Sequence, residues 1–135
     1  MNNKEAIIII LHAFAGWVLC AATMGIGMAV WPLNTSLMVH AVAAPVFLTI
    51  ISLVYFTKFN YTAPLKTAAL FTGFVIVVDF FVVALLINKS LDMFTSLIGT
   101  WIPFALIFTA TYLTGLVVLR RDGGMKPVLK IRTKK

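Results

Sequence analysis

Two long stretches of this chain, Ala6 to Thr57 and Met93 to Leu119, contain no Asp, Glu, Lys or Arg, and a third, Thr67 to Asn88, is broken by one charged residue, Asp79. A helix needs about 20 apolar residues to cross roughly 30 Å of hydrocarbon. The first stretch has room for two crossings and a turn and the others for one each, which predicts helices at about 6–30, 37–59, 65–87 and 95–119. The apolar runs are continuous, whereas strands of a membrane barrel alternate apolar and polar positions over about ten residues. The expected fold is therefore all-α: a four-transmembrane-helix up-down bundle over residues 1–119, followed by a basic tail over 120–135. The predicted connections, 31–36, 60–64 and 88–94, carry the Pro, Asn and Ser chemistry that ends one helix and starts the next. Connections this short predict that sequential helices are antiparallel neighbours.

Composition agrees with a membrane chain, at 61% hydrophobic and 11% charged, against about 25% charged in soluble domains. The N-terminal run has only Lys4 against Glu5 before it and continues through Val30, so it is expected to be a retained helix rather than a cleaved leader. A single cysteine, Cys20, excludes an internal disulfide and a cysteine-based metal cage.

Basic residues set an orientation. Lys4, Lys58, Lys66 and the seven in the tail (Arg120, Arg121, Lys126, Lys130, Arg132, Lys134 and Lys135) fall on one side of a four-span chain, and the other side has only Lys89 beside Asp92. The positive-inside rule then predicts a plasma (inner) membrane protein with both termini cytoplasmic. Trp31, Tyr55, Phe59, Tyr61 and Trp101, near predicted helix ends, suit the headgroup region. The tail is a topology signal and a candidate contact for anionic lipids. It has no aromatic residue for base stacking, so nucleic acid is not an expected partner.

Asp79 is the main candidate site. An Asp at mid-helix costs roughly 2.5–3.5 kcal/mol on insertion scales, so its face must meet protein or water rather than lipid. Helical spacing puts it on a face with Thr72 and Leu86. With no basic residue at that depth, a neutral acid donating one hydrogen bond is the form hydrocarbon tolerates best. Pro45 and Pro103 offer acceptors for it by freeing the Ala41 and Gly99 carbonyls. By helical rise Cys20 lies at a similar depth, with Thr23, His40, Thr100 and Trp101 somewhat further out, so these six residues form the candidate polar site, with His40 facing Asp79 directly or through water. His12, Gly16 and Gly27 share a face with Cys20 and Thr23 and are read as a packing seam of small residues. Threonines on helix 4, Thr111 and Thr114 among them, are expected to bond to carbonyls of their own helix.

No catalytic constellation or metal-ligand spacing is visible, and no cofactor is expected. His12 and His40 fall on the order of 20 Å apart along the membrane normal, too far to share one haem iron. Three readings of function follow, of which a membrane-embedded redox or lipid-modifying enzyme has least to carry it, since it needs the catalytic constellation that is missing. One is a non-catalytic membrane component, packing with itself or with a larger membrane partner, in which Asp79 cross-links helices. The alternative is a proton- or cation-coupled transporter of small molecules, working as a homo-oligomer with Asp79 as the titrating group.

Overall fold

A computed structural model describes residues 1–122 and is all-helical over that range. Helix α1 spans Asn3–Val30, α2 Leu33–Lys58, α3 Pro64–Val78 and α4 Ile102–Arg121. The third span does not stop at Val78: it continues as a π-helix over Asp79–Asn88, and a short π segment, Leu97–Trp101, leads into α4. Four helical segments are thus long and apolar enough to cross a membrane: Asn3–Val30, Leu33–Lys58, Pro64–Asn88 and Leu97–Arg121. By this measure the chain is a membrane protein.

The ends of the helices follow from local chemistry. Asn2 caps α1 by accepting from the Lys4 N–H, while Glu5 accepts from the Asn2 N–H, a reciprocal box that satisfies two donors of the first turn. The first connection is shorter than the sequence suggests. Pro32 fixes its own φ at −57° and its carbonyl accepts from the Ser36 N–H, so Asn34, Thr35 and Ser36 lie in the first turn of α2 instead of preceding it. Pro64 opens α3, where a missing N–H costs nothing. Asn60 and Lys89 both take positive φ, 48° and 52°, to turn the chain out of the second and third spans.

The four spans pack in the cyclic order α1, α2, α4, α3. Sequential neighbours α1–α2 and α3–α4 are antiparallel, as expected, but α2 and α3 sit across the diagonal and α2 packs most extensively against α4. Tyr55 explains how a five-residue connection serves that diagonal. Predicted at the membrane interface, it is fully buried, with its ring edge-on to Phe71 of α3 at 5.9 Å and its hydroxyl 3.0 Å from Thr62 Oγ1. Thr62 in turn lies 2.6 Å from Thr67 Oγ1, so three hydroxyls close a buried knot between the end of α2 and the start of α3.

Glycines set the closest helix approaches. A Cβ at Gly16 would meet Leu48 at 3.0 Å and one at Gly27 would meet Ser36 at 3.1 Å, so both line the α1–α2 contact. His12 belongs to the same contact, stacking edge-on with Tyr55 and Phe59 and bonding through Nδ1 to the Ile8 carbonyl at 2.7 Å. At Gly115 of α4 a Cβ would come within 2.7 Å of both Phe56 and Pro64. The threonines divide into two groups. Thr49, Thr109 and Thr114 bond to the carbonyl four residues back, whereas Thr111 is fully buried and accepts from Ser52 of α2 at 3.2 Å, an interhelical bond that spacing alone did not reveal. Arg120 and Arg121 end α4 exposed; the tail positions Lys126, Lys130, Arg132, Lys134 and Lys135 lie outside the described residues.

Candidate functional site

Asp79 stands where the third span changes from α to π geometry. Its own N–H is shared between the Ile76 and Val75 carbonyls. From there to Asn88 the helix is wider, and π geometry is uncommon and concentrates at functional positions. One consequence overturns a spacing argument. Leu86, which an uninterrupted 3.6-residue repeat puts on the face of Asp79, is 71% exposed, because the wider turns rotate the residues beyond 79 out of the α-helical phase.

The carboxyl itself meets α1. Trp17 Nε1–H donates to Asp79 Oδ1 at 2.7 Å, across 62 residues of sequence. An indole N–H can only donate, so Asp79 acts here as an acceptor, and the Ala41 and Gly99 carbonyls proposed for it from the prolines are not its partners. Asp79 is half-buried, and Oδ1 is its hydrogen-bonded oxygen.

Among the other candidates, Cys20 is buried on α1, one turn beyond Trp17. Thr23 bonds back to the Leu19 carbonyl at 2.8 Å. His40 lies on the inner line of α2 between Ser36 and Ala44, with Nδ1 buried and without a hydrogen-bond partner among the described residues. The register of α1 on α2, Gly27 against Ser36 and Gly16 against Leu48, places His40 opposite Thr23. Thr23 is six residues from Trp17, roughly 9 Å along the helix axis, which is too far for a direct bond from His40 to Asp79. Thr100 and Trp101 serve the outer connection instead. Thr100 Oγ1 donates to the Met93 carbonyl at 2.5 Å and Trp101 Nε1–H to the Phe94 carbonyl at 2.8 Å, which tie the connection onto the π segment that leads into α4.

The structure therefore pairs Asp79 with Trp17, puts Cys20 one turn along α1 from that indole, and leaves His40, Thr23, Thr100 and Trp101 outside hydrogen-bonding reach of the acid. Trp17 is the residue that sequence reasoning missed. Its signal was available: α1 and α3 run in the same direction, and counting from Asn3 and Pro64 brings Trp17 and Asp79 to nearly the same level. A donor-only side chain level with an intramembrane acceptor is a natural partner. Among the described residues no group of three or more His, Cys, Asp or Glu side chains is placed to hold a metal ion.

The site is thus a paired acid, one oxygen tied to an indole, at the junction of α1 with α3. Comparison of the chain with protein-family models, with curated proteins and with solved structures gives no match.

Proposed function

We propose that this protein is a non-catalytic component of the plasma (inner) membrane, its termini on the cytoplasmic side, in which Asp79 serves as a fixed hydrogen-bond acceptor joining α1 to α3. The observation that carries this reading is the Trp17–Asp79 bond: the acid has a donor from another helix, at 2.7 Å, and among the described residues no other side chain is hydrogen-bonded to it. Such a group holds a bundle together. Its partners are the bilayer and other membrane-embedded chains, either copies of itself or a larger assembly.

The second reading, a proton- or cation-coupled transporter acting as a homo-oligomer, draws support from one feature. Asp79 is only half-buried and its hydrogen bond engages a single oxygen, so Oδ2 remains available to a proton or cation. Reconstitution into liposomes separates the two. With a pH-sensitive dye inside and a potassium gradient to drive flux, wild-type vesicles are expected to behave like protein-free ones. A proton or cation flux that Asp79→Asn abolishes, in a variant that still folds, would overturn the structural reading in favour of transport.

A further inference from the structure

Beside the paired acid, the α1–α3 contact opens on its lipid side into a groove of about 290 Å³. Its walls are apolar: Ile9, Ile10 and Ala13 from α1, and Leu70, Gly73 and Val77 from α3. Gly73 is central to it, since a Cβ there would meet nothing within 4 Å, in contrast with Gly16, Gly27, Gly99 and Gly115, whose missing side chains make room for other parts of the bundle. Lys66 shares this stripe of α3, because 66, 70, 73 and 77 repeat at four, three and four residues. It is exposed, and among the described residues no carboxylate is paired with it. An apolar slot with an exposed ammonium one helical turn before its first α3 residue has the polarity of one phospholipid, tail inward and phosphate outward.

We infer that the α1–α3 groove binds an anionic phospholipid of the bilayer, with one acyl chain along Ile10, Gly73 and Val77 and the headgroup phosphate at Lys66. Lengths agree. From Lys66 to Val77 the helix rises roughly 16 Å, about the half-thickness of a hydrocarbon core near 30 Å, so the Lys66 position and the slot together span one leaflet. Width distinguishes the occupant from a second protein chain. Spread over the roughly 10 Å of α3 from Leu70 to Val77, the volume gives a mean section of roughly 28 Å², nearer that of a single hydrocarbon chain than that of a helix about 10–12 Å across.

The test uses the full chain in nanodiscs of equimolar phosphatidylglycerol and phosphatidylcholine, released for native mass spectrometry so that retained lipids are counted by headgroup. Wild-type protein is expected to retain phosphatidylglycerol preferentially. Lys66→Gln should lower that preference by about fivefold, the worth of one base near an anionic surface. Gly73→Leu, whose side chain projects into the slot, should lose bound lipid of either headgroup. Should Gly73→Leu fail to fold, Lys66→Gln alone decides, since that substitution is exposed and leaves the packing intact. Unchanged phosphatidylglycerol retention in Lys66→Gln overturns the assignment, and so does a cross-link between cysteines placed at Gly73 in two copies of the chain, which would put a second protomer over the groove.

Discussion

Replacing Trp17 by Phe removes one donor and little else from the α1–α3 seam, which makes it the sharpest test of what Asp79 does. Interhelical hydrogen bonds within membranes average about 0.6 kcal/mol and reach about 1.7. The Trp17–Asp79 bond is short, and its acceptor belongs to an acid with no other donor among the described residues, so the upper part of that range applies. Leaving a buried acceptor unpaired costs about 1–3 kcal/mol; half-burial of Asp79 lowers this, and about 1–2 kcal/mol is expected for Trp17→Phe. Asp79→Asn keeps an acceptor oxygen and should cost under about 0.5 kcal/mol by the same reasoning. Asp79→Leu leaves the indole N–H unpaired and should resemble Trp17→Phe. The decisive variant combines Trp17→Phe with Asp79→Leu. Removing both partners removes the unsatisfied group, so the double variant should be more stable than either single one, with a coupling of about 1–2 kcal/mol. Reversible unfolding in mixed micelles, followed by circular dichroism against the fraction of denaturing detergent, measures all four proteins. Additive single-variant costs, with coupling inside about 0.3–0.5 kcal/mol, would show that the bond contributes nothing and that Asp79 is held by something else.

Other expectations can be checked with the same preparation. Gly115→Ala places a methyl 2.7 Å from Phe56 and Pro64 and should cost about 1–3 kcal/mol in detergent unfolding, while Gly25→Ala, with nothing within 4 Å, should leave stability unchanged or slightly higher. Tyr55→Phe removes one hydroxyl from the buried Tyr55–Thr62–Thr67 knot and should cost about 1 kcal/mol, with the Thr62–Thr67 bond surviving. Cysteines introduced singly at Asn34, Tyr61 and Ser90 of a Cys20→Ser background should be labelled by an impermeant reagent from outside, inside and outside respectively; labelling of position 34 from the cytoplasm would invert the orientation. In the unaltered protein the buried Cys20 should react slowly with the same reagent before unfolding and fully after it.

The number, length and type of the spans were legible because hydrocarbon tolerates no unpaired backbone, which makes a run of uncharged residues nearly synonymous with a helix. Pairing was less so. The order of helices around the bundle depends on which small and large side chains interlock, such as Gly115 with Phe56 and Pro64, and nothing in a single hydropathy pattern ranks α4 over α3 as the main neighbour of α2. Tyr55 shows the limit of composition rules: a tyrosine three residues from a helix end suits an interface equally well as the core, and its hydroxyl was decided by Thr62, a residue in a connection. At the candidate site, inward placement of Asp79 followed from solvation alone. Its partner did not, because Trp17 reads as one more apolar residue until its indole N–H is counted as a donor, and because the change to π geometry at Asp79 breaks the 3.6-residue phase on which the expected face rested.

That the bond and the groove occur on the same seam has a common cause. Of the four side-by-side helix contacts, α1–α3 is the least extensive. In a bilayer, apolar packing between helices competes with equally apolar lipid tails, so a thin contact gains little from burial and needs either a directional bond or a lipid to fill it. On this seam Trp17 and Asp79 supply the bond at mid-depth, and the opening between Ile10 and Gly73, nearer the Lys66 end, supplies the space. The two are then linked energetically: if the groove lipid steadies the same contact that the bond closes, withdrawing lipid should make Trp17→Phe more costly, because the bond becomes the remaining tie between the helices. Equal costs of Trp17→Phe in lipid-stripped and lipid-replete micelles would mean that the acid pair and the groove act independently.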